Sequence, residues 1–427
     1  MKTLALLTPW PPQHSGIADY AYDLVKLLAS PSLAIVVYTT EKNPRALPGI
    51  DIVSIDEQSG FDHLDEFDCL IYQLGNNTKF HLWMIPLLHR HPGIIHLHDL
   101  VMHHMAAWLT WLQGDAEAYL NLMNKWYGAT GALEATRSLE QEDYIWNSDR
   151  VADFPLCEEY LQDARAIIVH SDYALGHVRS TAGHVPSFKL PQLYDLKPKA
   201  RASQKIQRIS VLGGVDPQKR LDWVIGALDG IQDSIAAAGP IELHVAGAID
   251  SKCIQLQEEA RRLNRPTLKI VFHGRVNEQR FAQLFEGTDL CVALRYPTMG
   301  ETSAIVMKAL QLGIPTIVND IGWYAELPDA IVKKLPVSGC EQTLGKLLEY
   351  LVLEQGAYQE WSKRCLDYAR TAFSLQEYGA HYLDICTNPE GEELVTDIFS
   401  WVFTECGLTG SDEEDGLLDK LLGESYF

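Results

Sequence analysis

Residues 295–329 read RYPTMGETSAIVMKALQLGIPTIVNDIGWYAELPD. The apolar run LCVALR, ending at Arg295, predicts a buried parallel strand. Gly300, Glu301, Thr302 and Ser303 then form a loop. Apolar periodicity from Ala304 to Leu312 predicts a helix, stopped by Gly313 and Pro315. A second buried strand, TIVND, follows at once. A strand, a loop and a helix start in this order aim unpaired N–H groups and the positive dipole end at one point, which suits a phosphate. Glu301 is out of place in a pure phosphate cradle, but a carboxylate there accepts hydrogen bonds from sugar hydroxyls beside the phosphate. An ordinary helix cap accounts for Thr302 and Ser303 taken alone; with Glu326 further along, a ligand site is the preferred reading.

On both sides of this segment, buried-strand signals alternate with helix patterns, the mark of doubly wound parallel α/β sheets. Strands are expected near 3–8, 34–39, 69–74, 94–98 and 166–170, and again near 209–213, 242–246, 269–273, 290–294, 315–319 and 330–333. The polar, basic stretch LKPKARASQKIQR at 196–208 separates the two sets and reads as a linker. Two domains are therefore expected, 1–195 and 209–372, since 427 residues exceed what one core usually supports. Facing each other across a cleft, they would present the carboxyl ends of their strands, where ligands of open sheets bind. Residues 373–386, FSLQEYGAHYLDIC, carry a helix pattern beyond the last strand.

The net charge of −22 argues against nucleic acid and against non-specific adhesion to anionic lipid. Much of it is local: residues 388–427 hold eleven acidic side chains against Lys420 alone, a charge of −10. This tail reads as an appendage. Within it, LVTDIFSWVF (394–403) has an apolar stripe that packs on the protein's own surface or docks to a protein partner or membrane interface. No apolar run approaches the roughly 18–20 residues that span a bilayer. The start MKTLALLTPWPP lacks a small-residue cleavage site and is read as strand one. Eight scattered cysteines without a CxxC suit a reducing cytosol, and no zinc site is expected. A cytoplasmic protein is expected, at most peripheral at the inner face of the membrane.

The 295–329 segment resembles the donor-binding region of family 4 retaining glycosyltransferases, enzymes of the GT-B fold that use nucleotide-activated sugars. The resemblance covers about residues 1–387 and is looser between Trp108 and Tyr160. It implies two Rossmann-like domains around a central cleft, a crossover helix at 373–387 returning to the first domain, and the acidic tail. No metal or other cofactor is implied beyond the nucleotide-sugar co-substrate. The acceptor is expected to be a glycan or lipid-linked glycan hydroxyl, the product to retain anomeric configuration, and the setting to be cell-surface polysaccharide synthesis.

The resemblance assigns roles residue by residue. In TPWPPQHSGIADYAYDL, Gly16 matches the glycine loop bordering the acceptor and the transferred phosphate, and Tyr20, on the helix behind it, is expected to bind the acceptor along with Asn76, Asn77 and Asp99. QLGNN places Asn76 and Asn77, and LHD places His98 and Asp99, just past apolar strands at the cleft edge. His98 matches the family's histidine beside the sugar's reactive centre, and Asp99 orients it or caps the next helix. His96 is assigned to the opposite face of the strand, as a core or surface residue. His103 and His104 give HDxxxHH, a mimic of metal spacing. In RISVLGGVDPQKRLDW, Gly213 ends a strand and Lys219 matches the family's diphosphate lysine. Cations there stabilise a leaving group carrying two to three negative charges. Arg275 and Val276 are expected at the base edge, Thr302, Ser303 and Glu301 at the phosphate and sugar.

Two departures stand out. Gly214 occupies the position of the family's arginine, whose charge Arg220, Arg275 or Arg295 can replace. The second glutamate of the family's acidic pair reads as Lys308, with Glu326 as the compensating acid. Two other classes stay open: a nucleotide-sugar 2-epimerase, disfavoured by the Trp- and Met-bearing insert at 101–130, and a catalytically silent scaffold.

Overall fold

The computed structural model describes residues 2–56, 61–200 and 203–389. The expected amphipathic helix at 394–403 and nearly all of the acidic tail lie outside these residues. The described chain divides into two units. The first takes the residues up to Asp195, the short segment Pro297–Thr302 and the chain from Ser374 onward; the second takes Leu196–Tyr296 and Ser303–Phe373.

The first unit holds seven strands: β1 (Lys2–Leu7), β2 (Leu33–Thr39), β3 (Asp51–Ser54), β4 (Cys69–Leu74), β5 (Ile94–Leu97), β6 (Ala166–Val169) and β7 (Ser187–Lys189). All pairings are parallel, in the order β3-β2-β1-β4-β5-β6-β7. The central strands β4, β5 and β6 are buried at every position. That is why CLIYQL, IIHL and AIIV read as continuous apolar runs rather than alternating ones. The edge strands β3 and β7, DIVS and SFK, are additional to the expected set. Their short, half-polar sequences suit sheet edges, and they carry no buried run to detect.

The second unit repeats the plan with β8 (Arg208–Leu212), β9 (Ile241–Ala246), β10 (Leu268–Gly274), β11 (Leu290–Val292), β12 (Thr316–Asn319) and β13 (Val332–Leu335). Their order is β10-β9-β8-β11-β12-β13, again parallel throughout. In both sheets the chain reverses its direction of growth once, between β1 and β4 and between β8 and β11. The crevice outside the carboxyl ends at such a reversal is where open α/β sheets hold ligands.

Two helices of the first unit pack on each other. Gly16–Leu28 leaves the carboxyl end of β1; Ser15 caps it by accepting from the Ile17 N–H. Leu375–Thr387 is capped by Ser374 and belongs to the first unit, where Gly379 lets it approach Leu27 of the Gly16–Leu28 helix. Residues 101–157, which contain the expected insert at 101–130, build a satellite core around Tyr119, Met123, Trp146 and Phe154, joined by Met299. Among the described residues no helix is long and apolar enough to cross a membrane.

Candidate functional site

In the second unit the reversal point is built from glycines and cations. Gly213 leaves β8 with φ +87°, and a Cβ there would come within 2.6 Å of the Lys219 Nζ. A side chain at 213 would thus push the lysine off its seat. Gly247, after β9, passes so close that a Cβ would sit 1.9 Å from the Gly213 carbonyl. The Val215 N–H then donates to the Ala248 carbonyl (2.7 Å) and the Gly247 N–H to the Gly274 carbonyl (2.9 Å), locking the three strand-end turns together. Gly247 is a positioning feature absent from the sequence-based expectations; its signal is a glycine directly after an apolar strand run.

Lys219 ends a short 3-10 turn capped by Asp216, and its ammonium donates to the Leu212 carbonyl at 3.3 Å. It shares a recess with Leu212, Arg295, Ser303, Ile305 and Tyr324. Ser303 caps the Ala304–Gln311 helix by accepting from the Val306 N–H, so the positive helix end opens beside Lys219. Arg295 is held by its backbone N–H, which donates to Asn319 Oδ1 (2.8 Å), and by an ion pair with Asp216 at 3.6 Å. Tyr296 N–H donates to the Gln218 carbonyl (2.7 Å) and its ring stacks on Trp223, so the β11 exit and the Lys219 turn move as one piece.

The expectation that Arg220 replaces the missing arginine is not met by its surroundings. Arg220 sits at φ +49°, forms a charge-assisted bond to Asp222 (2.6 Å) and lies 3.9 Å over the Trp223 ring. Its charge is already committed to a carboxylate, whereas Arg295 lines the recess. Arg275 is exposed after β10, and Val276 is half-buried against the apolar cluster of Leu284, Phe285 and Leu312. Glu326 ends the 3-10 turn Gly322–Glu326 and is exposed, whereas Tyr324 of that turn lines the recess. Gly214, in the place of the family's arginine, contributes backbone alone, and Lys308 lies on the Ala304–Gln311 helix, half-buried.

Glu301 and Thr302 belong to the first unit. The Glu301 carboxylate caps its own loop: Oε2 accepts from the Met299 N–H at 2.7 Å and from the Thr298 hydroxyl at 3.2 Å. Met299 in turn accepts at its carbonyl from the Val101 N–H (3.0 Å), and Thr302 is half-buried.

At the strand ends of the first sheet, Asn76 is the organiser. Its N–H donates to Asp99 Oδ2 (2.8 Å) and its Oδ1 accepts from the Met105 N–H (3.0 Å). The second bond fixes the amide, so Nδ2 donates to His104 Nδ1 at 3.1 Å. The imidazole thereby carries its proton on Nε2. Burial holds its pKa below the usual value, so near neutrality it is a neutral donor. His104 is thus the half-buried imidazole at this sheet edge, a residue whose sequence signal was metal mimicry alone. Asp99 faces Gly75 and Asn76 rather than orienting His98.

Three further expectations need correction. His98 is buried with both ring nitrogens engaged: Nε2 meets Gln73 Oε1, and Nδ1 meets His170 Nε2 at 3.0 Å. An imidazole so committed is not presented to a sugar's reactive centre. His96 does not face the other way. Residues two apart on a strand share a face, and the two rings stack with centroids 4.7 Å apart. Tyr20 is wholly buried, its hydroxyl bonded to that of Tyr378, so it lies in the core and not at an acceptor surface. Asn77 accepts from the Lys79 N–H and serves as a helix cap, and Gly16 is the exposed first residue of its helix. A recess of about 310 Å³ beside the Lys26–Asp195 ion pair, bounded also by Leu193, Leu375 and Tyr378, lies against helices rather than at strand ends.

Residues 206–346 match the family model described as glycosyl transferases group 1. No curated protein is a detectable relative by sequence. Among solved structures, a sucrose-phosphate synthase from Thermosynechococcus elongatus superposes with a TM-score of 0.62 at 13% identity, over 90% of this chain and 98% of that one. Anabaena HepE, solved in complex with UDP-glucose, gives 0.57 at 12%, over 90% and 100%. WaaG, a glycosyltransferase involved in lipopolysaccharide biosynthesis, gives 0.55 at 13%, over 90% and 99%. The chain thus matches the glycosyl transferases group 1 model over residues 206–346, and its fold is that of the GT-B glycosyltransferases.

Proposed function

We propose that the protein transfers a hexosyl group from a nucleotide-sugar to a hydroxyl of a glycan or lipid-linked glycan, retaining configuration and needing no metal. The observation that carries the reading is the second sheet's reversal point, where Lys219, Arg295 and the start of the Ala304–Gln311 helix converge. A departing nucleoside diphosphate gains negative charge as the glycosidic bond breaks. Two cations and an open helix start stabilise that charge more in the transition state than before it. Lys219, Arg295 and Ser303 hold the diphosphate in this reading, Gly213 and Gly214 give its oxygens close approach to backbone, and Glu301 bonds the sugar. On the acceptor side, Asn76, Asp99 and His104 form the polar set. His104 Nε2–H bonds a sugar or acceptor hydroxyl and eases proton movement. Cell-surface polysaccharide synthesis is the setting suggested by the resemblance and by the involvement of WaaG in lipopolysaccharide biosynthesis.

The test is incubation with UDP-, GDP- and dTDP-sugars, with products followed by mass. Transfer to added glycan, or slow donor hydrolysis without one, is the expected result. Epimerised donor, or binding with no turnover, would replace this reading with the epimerase or the scaffold.

A further inference from the structure

His96 and His98 at the end of β5 and His170 after β6 bring three imidazoles together, with ring centroids 4.6 to 4.8 Å apart. None is more than 5% exposed. One nitrogen from each lies within 4.8 Å of the other two. Glycosyl transfer as proposed above uses none of them.

The hydrogen bonds around the cluster fix most of the protons. His170 Nδ1 lies 2.8 Å from the Leu190 carbonyl, an acceptor only, so Nδ1 carries the proton and Nε2 a lone pair. His98 Nε2 meets the Gln73 carbonyl oxygen, which likewise puts its proton on Nε2 and a lone pair on Nδ1. These two lone pairs face each other at 3.0 Å. Turning the Gln73 amide over relieves that contact, because His98 Nδ1–H then donates to His170. It does not help His96. Its Nδ1 is occupied by Tyr382 (3.1 Å) and Gln73 (3.3 Å), while its buried Nε2 has no hydrogen-bond partner among the described residues. Leaving such an atom unsatisfied costs roughly 1–3 kcal/mol.

We propose that His96, His98 and His170 bind a first-row transition ion of the zinc class. One ion accepts the lone pairs of His98 Nδ1, His170 Nε2 and His96 Nε2 together, and resolves both the facing pair and the orphan atom. Neutral imidazole is the ligating form. Burial holds all three rings toward that form, His170 at a pKa of about 4, and at His96 and His98 the neighbouring histidines add to it. Each ring's remote nitrogen already has the outer partner that metal-binding histidines keep: the Leu190 carbonyl, the Gln73 amide and the Tyr382 hydroxyl. The ion's role is structural. Tyr382 and Tyr378 lie on the Leu375–Thr387 helix, and Tyr378 bonds Tyr20, whose ring stands edge-on to all three imidazoles at 5.2 to 5.6 Å. A bound ion therefore pins β5, β6 and that helix together.

The test uses the full chain, stripped with chelator and unfolded and refolded with and without ZnCl₂ or CoCl₂, so that burial does not block entry. One equivalent of metal is expected, with the visible bands of low-coordinate cobalt and a higher thermal midpoint. His96→Gln and His170→Gln should each lose it. Gln73→Ala, which removes an outer partner only, should weaken binding about 10- to 100-fold. No uptake by the refolded wild-type chain would overturn the proposal in favour of a metal-free imidazole network. Uptake that survives both histidine substitutions would place the ion elsewhere and overturn it equally.

Discussion

Over six strands the two sheets share one order and reverse at the same place, yet they fill the reversal differently. In the second unit the strand ends carry Lys219 and Arg295 against backbone and a helix start. In the first unit the corresponding ends carry Asn76, Asp99 and His104, with a wholly buried layer of histidines and tyrosines behind them. The shared topology therefore says where a ligand goes, and side-chain chemistry says which one. The cationic end suits a diphosphate, and the first unit's end, which offers the His104 donor and the Asp99 carboxylate, suits sugar hydroxyls.

The harshest test of that division is Lys219→Ala. In the proposed reaction its ammonium would face growing charge on the leaving group, so kcat should fall about a thousandfold, while the thermal midpoint moves by less than about 2 °C because the side chain supports little packing. Steady-state kinetics and a melting curve decide it. Turnover within about tenfold of wild type would take the diphosphate away from this recess. A second contrast concerns acid. His81 and His103 of the first unit are buried and pushed down to about 4, in each case chiefly by loss of solvent. Their folded pKa lies below the unfolded value, so the unfolded chain binds the proton first. Stability is therefore complete above about pH 6.5 and lost as pH falls toward 4, by about 3 kcal/mol per histidine over the full window. Hydrogen exchange at pH 7 and pH 5 should show amides of the first unit losing protection. His103→Gln should flatten part of that pH dependence. Equal loss in both units would mean that these buried rings do not set acid sensitivity.

The strands of both cores were legible because central parallel strands are buried on both faces and leave unbroken apolar runs. The edges β3 and β7 were not, being short and polar. The helix start at Ser303 and the seat of Lys219 also stood in the sequence, as a capping serine and a lysine spaced from a strand-end glycine. What the sequence could not supply was three-dimensional partnership. Nothing local says that His98 is walled in by Gln73 and His170, 25 and 72 residues away. Nor does it say that Asn76 would single out His104 instead, 28 residues on. Tyr20 failed for a similar reason: its helix face turns toward Tyr378, 358 residues later in the chain. Placing His96 opposite His98 was an error of strand periodicity.

His104→Ala measures the first unit's end of the comparison. Loss of one positioned imidazole should lower kcat about a hundredfold, with a smaller effect on affinity for nucleoside diphosphate. His98→Ala, by contrast, should show its damage in the melting curve. If His98 changes kcat at unchanged stability while His104 does not, the two histidines exchange roles.

The finest discrimination lies between two arginines of the second unit. Arg220 bonds Asp222 bidentately, Nε at 3.2 Å and Nη2 at 2.6 Å, and covers Trp223; Arg295 reaches Asp216 only at 3.6 Å and lines the recess. A guanidinium held by two parallel bonds to its own carboxylate gains little by turning to a phosphate. One held by longer contacts, to Asp216 at 3.6 Å and to Gln218 Oε1 at 3.4 Å, can share its charge with an incoming anion. Arg295→Gln should therefore weaken nucleoside diphosphate binding about tenfold, and Arg220→Gln less than about twofold, both read by calorimetric titration. The reverse order would mean that ligand binding breaks the Arg220–Asp222 pair, and that Asp222, rather than Gly214, decides how much positive charge this site presents.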